Sequence, residues 1–128
     1  MKKILIVISK YNNTKALLNS ATNILNKKKI KFSVIEVNGA FEIPVIISRN
    51  IKKFHGFIAL GIIIKGETPN FDFISKAITQ GLIDLSISSK KPVGNGILTC
   101  LNMSQANERE HKGGEAAEAV LDVLNLNR

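Results

Sequence analysis

The sequence has little cysteine, few aromatic side chains and no long apolar run, and each scarcity excludes a class of protein. Its 128 residues include one cysteine, one tyrosine and no tryptophan. The lone Cys100 cannot form an internal disulfide, which argues against a small disulfide-stabilised secreted domain. No stretch approaches the roughly 18 consecutive apolar residues that a membrane-spanning helix needs, so no membrane span is predicted.

The beginning of the sequence resembles a signal peptide only in part. Lys2 and Lys3 precede an apolar run, but Ser9 and Lys10 interrupt that run and no small-residue cleavage site follows. We therefore expect a cytoplasmic protein. Metal-ligand spacings, Walker loops and dinucleotide-binding fingerprints are also absent, so we expect no metal site.

Acidic residues are the minority charge. The chain has 18 Lys and Arg against 10 Asp and Glu, a formal net charge of +8, and an excess of this kind can indicate a nucleic-acid partner. The densest basic run is Lys27-Lys28-Lys29 with Lys31. It falls where a helix is predicted to end, a position that suits cations, and the aromatic residues are not interleaved with it. We therefore favour an ordinary solvated surface, and nucleic-acid binding remains the weaker alternative.

The sequence has enough apolar residues for one core. Hydrophobic residues make up 45% and charged residues 22% of the chain, which is ordinary for a globular protein and unlike a disordered one. The length suits one domain over residues 1–128.

Short apolar runs alternate with amphipathic segments along the chain. Four strands are predicted, at Lys3–Ile8, Phe32–Val37, Phe57–Ile64 and Val93–Thr99. Helices are predicted after a capping Thr14, from Ile43-Pro44 to about Lys53, through Ile74 to Leu85, and from Gln105 to Leu126 with a break at Gly113-Gly114. This alternation predicts a parallel four-stranded sheet with right-handed crossovers and helices on both faces, a three-layer α/β/α architecture.

In such a sheet, ligands bind outside the carboxyl ends of the strands. Two aromatic residues fall there, because Tyr11 follows the first strand and Phe41 follows the second. Tyr11 lies in a polar turn and is expected to contact a flat ring of a ligand. Phe41 is equally suited to that contact and to covering the core. Glu42 either caps the next helix or accepts hydrogen bonds from substrate hydroxyls.

Charged and small residues follow the third and fourth strands. Gly66-Glu67-Thr68 lies between a strand and a helix, where backbone N–H groups and the helix dipole can hold a phosphate, although a simple tight turn is the alternative. Arg109 and Lys112 are either counter-charges for that phosphate or ordinary solvated residues. His111 lies beside them, whereas His55 falls at the opposite edge of the sheet. Cys100 is expected to be a small core residue.

Four segments together resemble the lumazine synthase family. They are Asn38-Gly39-Ala40-Phe41-Glu42-Ile43-Pro44, Ala59-Leu60-Gly61 through Lys65-Gly66-Glu67-Thr68, Gly96-Ile97-Leu98-Thr99, and Lys112-Gly113-Gly114-Glu115-Ala116-Ala117. Their order and spacing match the family over nearly the whole chain. The resemblance implies a flavodoxin-like strand order of 2-1-3-4 and a cofactor-free condensation of two small molecules. It also implies a homo-oligomer whose sites are shared between subunits.

The resemblance also implies roles for individual residues. Tyr11 would stack on the pyrimidine of one substrate, and the segment Ala40-Phe41-Glu42 would hold its ribityl chain. The phosphate of the other substrate would be held by Glu67, Thr68, Arg109 and Lys112. Glu115 would occupy the family's acidic position after that lysine.

Three departures from the family pattern bear on activity. Asn70 stands where the family has a histidine that moves protons, and His111 is the candidate to supply protons in its place. Arg109 and Lys112 are much closer together in sequence than their family counterparts. Asn95 stands where many members have a phenylalanine that reaches a neighbouring subunit's site.

The start of the chain favours one assembly over another. The first strand begins almost at Met1, without the extension of capsid-forming members, so a homopentamer is expected rather than a larger shell. Two functions follow from the sequence: a working lumazine synthase, or an impaired homologue that binds ribityl-pyrimidines or flavins as a carrier or scaffold.

Overall fold

Four apolar, largely β-branched segments form parallel strands in the computed structural model, which describes residues 2–67 and 69–126. They are β1 (Lys3–Ser9), β2 (Lys31–Val37), β3 (Gly56–Ile64) and β4 (Val93–Cys100). The sheet order is β2-β1-β3-β4, and every neighbouring pair is parallel. The predicted three-layer α/β/α fold with flavodoxin-like order 2-1-3-4 is confirmed.

The helices connect the strands and cover both faces of the sheet. They are α1 (Lys15–Lys27), α2 (Ile43–Arg49), α3 (Asn70–Ser89), α4 (Met103–Glu108) and α5 (Lys112–Leu124), with a short 3₁₀ turn at Ala40–Glu42 before α2. The prediction that α2 reaches about Lys53 is wrong. The helix ends at Arg49, where the N–H of Asn50 turns back to the carbonyl oxygen of Ile47 at 3.0 Å.

Alternate residues of the buried strands enter two separate apolar layers. Ile4, Ile6 and Ile8 of β1 point to the layer covered by α1 and α5. Leu5 and Val7 point to the layer covered by α2 and α3. All five side chains are buried, which explains why β1 has a continuous apolar run instead of an alternating pattern.

The segment from Gln105 to Leu126 does form two helical pieces, as predicted, but the predicted position of the break at Gly113-Gly114 is wrong. The chain leaves α4 after Glu108, and both glycines lie in the first turn of α5. A Cβ atom at Gly113 would collide with the carbonyl oxygen of Leu17, and the N–H of Gly114 donates to Ser20 Oγ at 2.8 Å. The glycines are therefore needed for the close approach of α5 to α1 and do not end a helix.

Thr14 precedes α1 as predicted but does not cap it. Its hydroxyl donates a 2.8 Å hydrogen bond to the carbonyl oxygen of Ser9 and accepts none from the helix N–H groups. The side chain thus ties the start of α1 to the end of β1. Over the residues that the structure describes, no helix combines the length and apolar character needed to cross a bilayer.

Candidate functional site

A cavity of about 440 Å³ lies at the carboxyl edge of the sheet. It is lined by residues from the ends of β1, β2 and β3 and from the starts of α3 and α4: Tyr11, Asn12, Gly39, Ala40, Phe41, Ile62, Ile63, Ile64, Ile74 and Met103. Its volume lies within the range of pockets that hold small organic ligands. The structure therefore brings Tyr11, Ala40 and Phe41 together, although they come from different loops.

Tyr11 and Phe41 are both largely exposed at this cavity. Their relative exposures are 72% and 62%, so neither ring is needed to cover the core. The Tyr11 N–H donates to the carbonyl oxygen of Asn38 at 3.0 Å, and the Lys10 N–H donates to that of Val37 at 2.9 Å. These two bonds hold the loop after β1 against the loop after β2. The Tyr11 ring is thus carried on a fixed backbone at the cavity wall.

Asn12 is a cavity residue that sequence reasoning missed. Its backbone is left-handed, with φ of 69°, a conformation that asparagine tolerates better than most residues. Its Nδ2 donates to the carbonyl oxygen of Ile62 at 2.9 Å. The sequence signal was an asparagine in a tight turn directly after a buried strand, next to the candidate aromatic residue.

Glu42 acts as a local capping residue. One carboxylate oxygen, Oε1, accepts a 2.9 Å hydrogen bond from the N–H of Gly39, three residues earlier. This contact stabilises the 3₁₀ turn that carries Ala40 and Phe41. The side chain is exposed, and a carboxylate has a second oxygen that can accept further donors.

The loop after β3 carries the remaining candidates of this edge. Glu67 is exposed in a bend, Thr68 lies outside the described residues, and Asn70 is the exposed first residue of α3. Ile74, one helical turn after Asn70, lines the cavity. Residues four apart share a helix face, so Asn70 lies on the cavity side of α3.

A second group of charged residues lies at the start of α5. Glu115 Oε2 is 3.3 Å from His111 Nε2, and Glu115 Oε1 is 3.3 Å from Lys112 Nζ. Arg109 directs its guanidinium to the carbonyl oxygen of Gln105 at 2.9 Å. Of the described residues, none of these four lines the cavity beside Tyr11. The structure thus separates them from the aromatic residues of the same chain.

Asn95 and Cys100 lie on β4 in contrasting surroundings. Asn95 is exposed, and its Oδ1 accepts from the N–H of Ile97 at 3.0 Å. Cys100 is buried, and this burial raises the pKa of its thiol despite the nearby positive charge of Arg109. The thiol is therefore a neutral core group. Over the described part of the chain, no three metal-ligating side chains come together.

Comparison with known proteins identifies the family. The sequence model of 6,7-dimethyl-8-ribityllumazine synthase matches residues 1–128. The chain is 42% identical to the 6,7-dimethyl-8-ribityllumazine synthase of Buchnera aphidicola subsp. Baizongia pistaciae, over 98% of this chain and 87% of that protein. It is 40% identical to the enzyme of the same name from Thermobifida fusca, over 75% of this chain and 61% of that protein.

A solved structure shares the fold at much lower similarity. A flavone reductase superposes with a TM-score of 0.50 at 11% identity, over 96% of this chain and 64% of that one. That likeness concerns the fold alone. The full-length sequence match and the relatives with about 40% identity establish that the chain belongs to the 6,7-dimethyl-8-ribityllumazine synthase family.

Proposed function

We propose that this protein is a working transferase of riboflavin biosynthesis. It condenses 5-amino-6-ribitylaminouracil with 3,4-dihydroxy-2-butanone 4-phosphate to give 6,7-dimethyl-8-ribityllumazine. The observation that carries the proposal is the cavity at the carboxyl edge, flanked by exposed Tyr11 and Phe41, in a chain of this family. No cofactor takes part in the proposed reaction.

The pyrimidine substrate occupies the cavity in this proposal. Its flat ring stacks on Tyr11, because an exposed aromatic face on a fixed backbone favours such contact. The ribityl chain lies along Ala40 and Phe41. Its hydroxyls donate to the Glu42 oxygen that does not cap the 3₁₀ turn.

The phosphate substrate needs positive charge that this cavity does not itself display. In this proposal the side chains of Arg109 and Lys112 supply the positive charge. The backbone N–H groups of Glu67 and Thr68 donate hydrogen bonds to the phosphate. Because Arg109 and Lys112 do not line the cavity of their own chain, they serve the cavity of a neighbouring copy. Asn95, exposed on β4, faces that neighbour's site as well. The homopentamer expected from the sequence would provide such shared sites.

Positioning accounts for most of the catalysis in this proposal. Imine formation, phosphate loss and ring closure all require the two substrates to be held face to face. Holding them in this way lowers the activation barrier, because less entropy is lost in reaching the transition state. Cations stabilise the departing phosphate. Asn70 orients a water or a substrate group through hydrogen bonds, since an amide does not titrate near neutrality. His111, held by Glu115, supplies protons.

The test is the condensation itself. Purified protein given both substrates should form the lumazine chromophore faster than the same mixture without protein. Tyr11→Ala should raise KM for the pyrimidine, whereas Tyr11→Phe, which keeps the ring, should stay close to the natural chain. No acceleration at any pH between about 6 and 9 would overturn the proposal.

Asn70 and the short Arg109–Lys112 segment favour a second candidate function. An impaired homologue would bind ribityl-pyrimidines or flavins as a carrier or scaffold without turning them over. Calorimetry with riboflavin and the lumazine separates the two functions. Tight binding without turnover supports the carrier, and absence of binding excludes it.

A further inference from the structure

The positive charge of the protein is concentrated at the edge of the sheet opposite the candidate site. Parallel strands place all their amino ends at one edge, together with the connections that precede them. That amino edge carries these described lysines: Lys2, Lys3, Lys27, Lys28, Lys29, Lys31, Lys52, Lys53, Lys90 and Lys91. They are more than half of the 18 basic residues of the chain.

These lysines lack acidic partners. The connections 28–30, 50–55 and 90–92 contain no Asp or Glu. Among residues 2–67 and 69–126, the ion pairs all involve Glu115 at the start of α5. Lys91 instead donates its Nζ to two backbone carbonyl oxygens, those of Ile51 at 2.6 Å and Phe54 at 2.9 Å. The amino edge thus presents uncompensated positive charge to solvent.

Two of the lysines occupy positions where glycine is the usual residue. Lys29 and Lys90 follow the ends of α1 and α3 with φ of 58° and 61°. The left-handed conformation is unfavourable for a residue with a Cβ, which is why glycine commonly terminates helices. At both positions the chain therefore has lysine although the local backbone geometry favours glycine.

A cleft of about 410 Å³ opens at this basic edge, beside the amino ends of β1 and β2. Its lining includes two lysines, two phenylalanines and two polar side chains: Lys3, Lys31, Phe32, Phe54, Asn26 and Ser33. Lys3 and Lys31 are direct neighbours in the β1–β2 register, and like charges placed opposite each other destabilise a sheet. Lys3 Nζ lies 5.7 Å from the centre of the Phe54 ring. The fold thus brings two aromatic rings and two lysines to one cleft.

We propose that this cleft binds single-stranded nucleic acid. A base enters the cleft against the phenylalanines that line it, Ser33 and Asn26 hydrogen-bond to it, and Lys3 and Lys31 contact the adjoining phosphates. The remaining lysines of the edge contact phosphates further along the strand. Aromatic rings within a basic groove are the combination that single strands favour, because bases stack while phosphates pair with cations. A membrane surface would instead favour protruding apolar side chains around the lysines.

The proposal is tested by fluorescence anisotropy with a labelled oligouridine of about ten nucleotides. The natural chain should bind it, and log affinity should fall linearly with log salt by about 0.7 for each phosphate contacted. Lys31→Glu should weaken binding about tenfold, since it removes one phosphate contact and adds a repulsive charge. Free uridine monophosphate should bind far more weakly than the strand, because only the strand reaches the outlying lysines.

Lys76→Glu is the matched control, because Lys76 is an exposed lysine of α3 outside the amino edge. It changes the net charge by the same amount and should weaken binding less than about twofold. Lys76→Glu should keep the melting temperature of the natural chain, and Lys31→Glu should keep or raise it because the new carboxylate lies opposite Lys3. Both variants should keep the condensation rate, so the outcome does not depend on the proposed enzymatic function. Equal weakening by the two substitutions would show attraction by net charge without a site. Equal weakening would overturn the proposal. It would also be overturned if the protein did not bind the strand near physiological salt, or if it bound phosphatidylserine vesicles more tightly than the strand.

Discussion

Asn12 ties the loop after β1 to the neighbouring strand, because its Nδ2 donates a 2.9 Å hydrogen bond to the carbonyl oxygen of Ile62 in β3. The same loop is held on its other side by the bond from Tyr11 N–H to Asn38. The backbone that carries the Tyr11 ring is therefore fixed from both neighbouring strands. Asn12 therefore holds the Tyr11 ring in the position where it would stack on the proposed substrate, and we class it as a positioning residue.

Replacing Asn12 should therefore impair substrate binding more than it impairs folding. Asn12→Asp keeps the shape of the side chain but loses the donor, and Asn12→Gly keeps the left-handed backbone but loses the side chain. Both should raise KM for the pyrimidine about tenfold, which corresponds to one lost hydrogen bond. Asn13→Asp is the control, since its Oδ1 still accepts from the N–H of Lys15. Equal KM values in all three variants would contradict the positioning role.

Asn70→His should accelerate the condensation. An imidazole at the start of α3, on the cavity side, can gain and lose a proton near neutrality, whereas an amide cannot. The expected gain in kcat is at least about tenfold, with a new titration near neutral pH, and Asn70→Gln serves as the amide control. Equal rates for Asn70→His and the natural chain would mean that protons are supplied elsewhere. His111→Ala would then be the variant to measure.

Gly113→Ala should destabilise the fold. The added methyl group would meet the carbonyl oxygen of Leu17, so α5 would have to move away from α1. Overpacking of this kind costs about 1–3 kcal/mol, and thermal or urea unfolding would measure it. Gly66→Ala is the control, because a Cβ there meets nothing within 4 Å. Similar stability losses in both variants would show that the contact between α1 and α5 is not the cause.

His55 should make stability depend on pH. Partial burial lowers its pKa from the ordinary value of 6.5, and the positive charges of Lys2 and Lys91 lower it further. The unfolded chain therefore binds this proton more readily than the folded one. The stabilisation is complete above about pH 6.5 and is lost as pH falls through that value towards the lowered pKa.

His55→Asn tests this dependence without removing the local contact. In the natural chain His55 Nδ1 accepts from the N–H of Lys3 at 3.0 Å, and the amide oxygen of asparagine can accept in its place. Melting temperatures of the natural chain should fall on acidification through this range more steeply than those of the variant. Parallel curves would assign the pH dependence to other groups.

The sequence predicts those features of the fold that arise from local pattern. Apolar strands alternating with amphipathic helices determine the parallel sheet, and the position of Tyr11 after β1 places it at the carboxyl edge. The end of α2 and the role of Gly113 do not follow from local pattern, because the first depends on backbone bonds at Asn50 and the second on contact with a distant helix. The separation of Lys112 from Tyr11 was not foreseen either, since two residues at one sheet edge need not be adjacent.

The unequal distribution of charge also affects how substrates reach the protein. The carboxyl edge combines cations with a similar number of acids, among them Glu36, Glu67, Asp72, Glu108 and Glu110, so the net charge of +8 belongs mainly to the amino edge. A phosphorylated substrate approaching the cavity therefore gains little long-range acceleration from the overall charge. The second-order rate constant for binding of this substrate should vary only weakly with ionic strength, as expected for diffusional association without electrostatic steering.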